Sequence, residues 1–346
     1  MTSTQETELT LDDLRKTRQA IEHCYESGWT DGLPVVPPIP EFVDEFLAQT
    51  RRDPEEVLCE APHLNRTCTV RDAAANALMA GCKPEYFPTF IAVVEAFSEI
   101  GPVMSQSTTG RAYAILINGP VRQRLGINCS GNILGPGDRP NSTIGRALRL
   151  VLMNVFDIRP HDLDQSTHGT PGKYSICIGE NEEESPWQPL HVELGDPPGA
   201  STVTARLIRS DLHVEHRSTQ EPEHILYTLA DSLSYGGAIY EAPPFNRNNG
   251  AVIILGPEHA GIIAAGGWTK DSVRQFLFEH YGKRMADLRR FGKVIGLESE
   301  PDDRFITSAR GAETLLIVVA GASNAGVSTV GVSFSWRQGH AVIEEY

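Results

Sequence analysis

The chain has 346 residues, with 30 Lys+Arg against 45 Asp+Glu and a formal net charge of −15. Apolar residues make up 40 % and charged residues 22 %, the profile of a globular chain long enough to bury a sizeable core. An acidic chain without a basic block excludes a nucleic-acid surface, and its longest apolar run, Leu315 to Ala322, falls far short of the roughly 20 residues that span a bilayer.

The first predicted element is a helix from about Thr10 to Ser27, with Thr10 and Asp13 spaced as a capping box and Leu11, Leu14, Ile21, Cys24 and Tyr25 as its apolar stripe. Trp29-Thr30-Asp31-Gly32 turns the chain into a proline-rich stretch, Leu33 to Pro38, which must be extended because a residue before proline avoids helical geometry. Pro40 opens a second helix to about Gln49. Residues 1–60 thus read as an arm that packs on a body or on a neighbouring subunit. The start lacks an apolar signal core, so a cytoplasmic location is expected.

Thr69 and Asp72 signal the cap of an alanine-rich helix, Val70–Ala80, which ends at Gly81. Pro84 sits where a first-turn proline belongs, and a helix to Ile100 follows. The chain then alternates strand and helix. A strand at Arg111–Ile117 ends in Asn118-Gly119-Pro120, a glycine-rich loop runs from Asn128 to Pro140, a helix covers about Ser142 to Phe156, and a strand at Tyr174–Ile178 precedes Gly179-Glu180-Asn181. The same order returns later: a strand at Ala251–Leu255 ending in Gly256-Pro257, helices at Glu258–Ala265 and Thr269–Tyr281, and a strand at Thr314–Val319. ILINGP pairs with VIILGP, and SICIGEN with LIVVAGAS, which suggests a degenerate internal duplication. The expected fold is α/β, a three-layer mixed sheet with helices in two pseudo-repeated halves, 61–195 and 196–346, beside the arm.

Six cysteines, none beyond Cys177, fit reduced thiols better than a disulfide framework. Cys82 is the leading nucleophile or redox candidate, because a helix start after Lys83 would stabilise its thiolate; the alternative is a small buried thiol filling the joint between two helices. His259 with Glu258, on the first turn after a buried strand, is a candidate acid–base pair or an ordinary helix-start pair. The loop from Gly131 to Arg139 reads as an anion cradle, its glycines letting the backbone approach a ligand at a helix start with Arg139 and Arg146 as clamps, or as an ordinary long surface loop; it matches no nucleotide fingerprint. Asn76, Asn118, Asn132 and Asn141 add candidate substrate-binding amides. Glu180 and Asn181 stand at the carboxyl edge of a strand, where α/β folds bind ligands. A polar run from Asp164 to Lys173, containing His168, lies at that strand's other end and is set aside for that reason. Cys59, His63 and Cys68 have soft-ligand chemistry at spacings that match no metal motif, and no metal is expected.

The segments WTDGLPVVPP (29–38), NALMAGCKPEY (76–86), NSTIGRALRL (141–150), PGKYSICIGENEEESPW (171–187) and ILGPEHA (254–260) resemble an uncharacterised bacterial family associated with UGSC-type selenoproteins and thiol proteins. The chain has no CGSC motif of its own, so the resemblance implies a companion of such a protein and draws attention to Cys82. It implies no settled reaction.

The expected function is a cytosolic enzyme on a small anionic, carboxylate-bearing metabolite, with thiol-dependent lyase, hydratase or isomerase chemistry and no nucleotide or other cofactor. The alternatives are a thiol redox subunit working with a Cys or Sec partner, and a non-catalytic partner subunit. A homo-oligomer is expected; nucleic-acid and membrane partners are not.

Overall fold

A computed structural model of the protein describes residues 10–235, 248–333 and 335–344. The arm holds α1 (Leu11–Glu26) and α2 (Pro40–Leu47), then β1 (Val57–Ala61) and β2 (Arg66–Thr69), followed by α3 (Val70–Ala80) and α4 (Phe87–Ile100). The first repeat contains β3 (Ala112–Asn118), α5 (Val121–Leu125), α6 (Arg139–Asn154), β4 (Cys177–Gly179), α7 (Leu190–Glu193), β5 (Thr202–Ile208) and β6 (Ser210–Glu215). After α8 (Pro222–Leu233) come β7 (Gly250–Leu255), α9 (Pro257–Ala265), α10 (Lys270–His280), β8 (Gly282–Arg284), α11 (Met285–Arg290) and β9 (Phe305–Thr307). The chain closes with β10 (Leu315–Val319), β11 (Val327–Ser333) and β12 (Gln338–Val342).

Local sequence explains most of these boundaries. Thr10/Asp13 and Thr69/Asp72 form reciprocal capping boxes, and Gly81, at φ 88°, closes α3. The stripe expected on α1 is only partly used, since Cys24 is buried while Leu11 and Leu14 stay exposed at its outer end.

Two four-stranded mixed sheets have the same plan. In the first, β4 runs parallel to β3, and β5 and β12 follow antiparallel; in the second, β10 runs parallel to β7, and β11 and β6 follow antiparallel. The last strand of each repeat therefore crosses over. β6 leaves β5 to finish the second sheet, and β12 leaves β11 to finish the first. Residues 196–346 consequently supply strands to both sheets. The buried Arg206 pins this exchange, donating to the carbonyl oxygens of Trp336 and Thr314 at 2.8 and 2.5 Å.

Every residue of β3 and β7 is buried, because each strand is covered on both faces. Tyr113, Ile115 and Ile117 pack on the helices of the first half, and Ala251, Ile253 and Leu255 on those of the second. The alternate residues Ala112, Ala114 and Leu116 meet Val252, Ile254, Leu316 and Val318 from the other sheet. The α/β class with helix-covered mixed sheets holds, and the face-to-face packing of two such sheets adds a fourth layer to the three expected.

Arg146 fastens the arm. Its Nε and Nη2 reach the two Asp31 carboxylate oxygens at 2.8 and 2.7 Å, and Nη2 also donates to the carbonyls of Leu33 and Pro34. Charge-assisted bonds of this kind contribute about 1.5–3 kcal/mol. Arg146→Ala is expected to lose about that much stability in urea titrations and to become sensitive to protease between α1 and α2. Unchanged cleavage kinetics would show that the arm is held by other contacts.

Candidate functional site

The residues singled out in the sequence fall in three places. Cys82 lies beyond the carbonyl end of α3, where its N–H donates to the Ala77 carbonyl at 3.0 Å. Pro84–Tyr86 forms a 3-10 turn and α4 begins only at Phe87, so the α-helix expected to start directly after Lys83 is not there. Burial pushes the thiol up to about 12, although Thr143, Arg139 and Arg146 oppose the shift. This is the reverse of the activated thiolate expected. Arg139 donates nearby through Nε to the Gly81 carbonyl, at 3.0 Å. Asn76 joins α3 to α6 by accepting from Asn154 at 3.0 Å, and Arg146 holds the arm rather than a free anion.

His259 is fully buried in the second half. Its Nε2 faces the His216 carbonyl at 3.1 Å and so carries the proton, which leaves Nδ1 to accept from the Ser328 hydroxyl at 2.8 Å. Ser328 in turn accepts from the Gly256 N–H. Burial lowers the imidazole below its usual range, and both ring nitrogens are satisfied within the protein. The pair Glu258 and His259 thus sits against β11, while Cys82 sits on the helical side of the first sheet; they do not share a site.

The third group does assemble, at the carboxyl ends of β3 and β4. The Asn118 amide donates to Glu180 at 2.6 Å and to Glu182 at 3.0 Å, while the Leu190 N–H donates to Glu180 at 2.8 Å. Lys270 approaches Glu180 and Glu193 at 3.5 and 3.2 Å, and Arg122 bridges Glu182 and Glu183. Burial raises the Glu180 carboxyl above its usual range, with Lys270 opposing. The Asn181 N–H donates to the Val319 carbonyl at 2.7 Å, joining the ends of β4 and β10. The glycine-rich loop is braced from within: Asn132 (φ 62°) donates to the Pro136 carbonyl, and Asn141 links the Asn128 and Cys177 carbonyls. The helix that follows is capped at Asp138 and starts at Arg139, three residues before the Ser142 start expected. Most of these groups are taken up by one another, although Asn118 Oδ1 and Glu180 Oε1 stay buried without a hydrogen-bond partner.

An open site lies on the segment set aside in the sequence. A cavity of about 750 Å³ is bordered by Asp31, Arg149, His161, Asp164, Ser166 and Lys173. Lys173 Nζ lies 2.8 and 2.7 Å from the two Asp164 oxygens and 2.8 Å from Ser166 Oγ, which itself donates to Asp164 at 2.5 Å. Arg149 adds a contact to Asp164 at 3.1 Å. The side chain of Asp164 is 3 % exposed, that of Arg149 11 % and that of Lys173 16 %, so the carboxylate is the floor and the cations form the accessible wall. Desolvation draws Lys173 below the usual lysine range against the pull of Asp164. Burial would raise Asp164, but hydrogen bonds from Lys173 and Ser166 outweigh it and keep the carboxyl low. His161, in the left-handed conformation at φ 71°, bonds back to the Asp164 carbonyl through its N–H at 3.1 Å. A non-glycine residue held there is a strained position of the sort found beside binding sites.

Cys59 and Cys68 face each other across β1 and β2, and His63 bonds to Gln106 instead of joining them. No helix among the described residues is long and apolar enough to cross a membrane. No protein-family model matches the chain, and no curated protein matches it.

Proposed function

We propose that the protein is an enzyme acting on a small carboxylate-bearing metabolite in the cavity beside Arg149 and Lys173, by proton transfer of the lyase, hydratase or isomerase type. The observation that carries this reading is the Asp164–Ser166–Lys173 cluster on the cavity wall, with a lysine held below its ordinary range. Two cations face one carboxylate there, while Asp31, also on the wall, is neutralised by Arg146, so the cavity attracts an anion in an otherwise acidic chain. Arg149 binds the substrate carboxylate. Lys173, once its ammonium proton has passed to solvent, accepts a proton from the adjacent carbon, the electron pair stays on the substrate, and Asp164 stabilises the ammonium formed again.

Thiol exchange with a Cys or Sec partner draws no support from Cys82; among the six cysteines only Cys129, beside Arg122, is partly exposed. Self-association is best supported at the arm, where Trp29, Leu33, Val36, Ile39 and Phe42 are exposed.

Thermal unfolding of the full chain with a panel of small mono- and dicarboxylates tests the site. A hundredfold excess over Kd stabilises by about 2.7 kcal/mol. One class of carboxylate is expected to stabilise the wild type, with the effect lost in folded Lys173→Met and Arg149→Met. Equal stabilisation of all three proteins would refute the assignment.

A further inference from the structure

A second cavity lies between the two sheets. It measures about 180 Å³ and is lined by Ala114 of β3, Ile208 of β5, Val252 and Ile254 of β7, and Gly331 of β11, with Leu134 at its side. Its polar groups, Ser175, Asp211 and Thr329, are few. An apolar cavity of about 150 Å³ between packed side chains stays dry and accepts benzene or xenon. The slot is therefore of a size to hold one aromatic ring.

Two residues keep it open. Gly331 lies inside β11, where glycine weakens a strand, and it has no positive φ that would require glycine. A Cβ there would first meet the Cγ2 methyl of Ile208 at 3.3 Å, close enough that this side chain must shift slightly, and nothing else closer than 3.7 Å. Ala114, in the middle of β3, likewise keeps the facing wall back. Leu134 reaches the slot from the glycine-rich loop, which the internal bonds of Asn128 and Asn132 hold in place. The loop's contribution to the slot is this apolar side chain.

We propose that this inter-sheet slot is a binding site for a compact apolar group the size of a benzene ring, closed by Leu134 of the glycine-rich loop. Pro171 also borders the cavity that contains Lys173, so one turn of chain separates the two spaces. The slot's occupancy does not depend on the carboxylate reading.

Benzene is the probe, titrated against the thermal midpoint of the full chain in sealed samples. A saturable rise is expected for the wild type, with at least tenfold weaker binding in Gly331→Val, whose side chain enters the slot. Absence of saturable stabilisation, or equal binding by a folded Gly331→Val, would overturn the proposal. Should that variant not fold, xenon-pressurised crystals of the wild type decide: a xenon peak between Val252 and Gly331 upholds the site, and its absence rejects it. Neither readout involves turnover, so failure here is separable from failure of the proposed reaction.

Discussion

Lys270→Met is expected to destabilise the protein by about 3–5 kcal/mol, the usual cost of removing one member of a buried ion pair. Lys270 is 3 % exposed, donates to the Gln188 carbonyl at 2.8 Å and stands between Glu180 and Glu193. Glu193 would keep Arg274 at 2.7 Å, but Glu180 would be left with neutral donors only. The loss should also depend on pH. Glu180 is already raised from the ordinary 4.5 by burial, so the folded state holds this proton more tightly than the unfolded chain. Its favourable contribution is present below the unfolded value and disappears as pH rises through the folded one. Without Lys270 the folded value moves further up, and the window of falling stability widens toward neutral pH. Urea midpoints for both proteins between pH 5 and 8 measure this. Parallel curves would mean that Glu180 is neutral in the wild type and that Lys270 serves Glu193 alone.

Gly119→Ala is the second large effect. Gly119 has φ 85°, and a Cβ would stand 2.0 Å from the Ala200 carbonyl oxygen and 2.8 Å from Ser201 Cα, both backbone atoms. The left-handed conformation costs about 1–2 kcal/mol for an L-residue and overpacking about 1–3 kcal/mol. Relaxing the clash also pulls the Gly119 N–H away from Glu182, at 2.7 Å, and the Val121 N–H from Ser201, at 3.1 Å. A loss of roughly 2–5 kcal/mol is therefore expected in denaturant titration. Gly331→Ala, at an unstrained site with a movable neighbour, serves as the comparison and should be near neutral. Similar losses at both positions would mean that neither the left-handed strain nor the carbonyl contact at Gly119 sets the effect.

Local signals carried the fold further than the site. Thr10/Asp13 and Thr69/Asp72 announced their helices because capping is decided within four residues. The matched strand–Gly-Pro joints at Gly119 and Gly256 marked β3 and β7 as equivalent. The exchange of β6 and β12 left no such mark, since pairing between Arg206 and Gln338 depends on the whole fold. Arg146 shows the same limit at the site. An arginine beside a glycine-rich loop reads as an anion clamp, and only coordinates reveal that Asp31, from the arm, is its partner. Cys82 was misplaced by a single element, because Pro84 opens a 3-10 turn rather than the α-helix itself. Lys173 was visible in a long polar run of the kind that often carries function, but a preference for the carboxyl edge of β4 set it aside. In a strand of three residues, that rule had little to act on.

The crossed strands also govern how the chain can reach its native state. Thr204 and His340, joined at 2.9 Å, are 136 residues apart, and the first sheet is incomplete until the last strand arrives. Closing so long a loop costs entropy before its contacts repay it, which slows folding relative to a chain of local hairpins. Until then the outer edge of β5 in the first sheet is unpaired. A second molecule can offer the same strand, so refolding at higher concentration is expected to yield more strand-exchanged dimer by size-exclusion chromatography, and an unchanged profile would argue against such exchange.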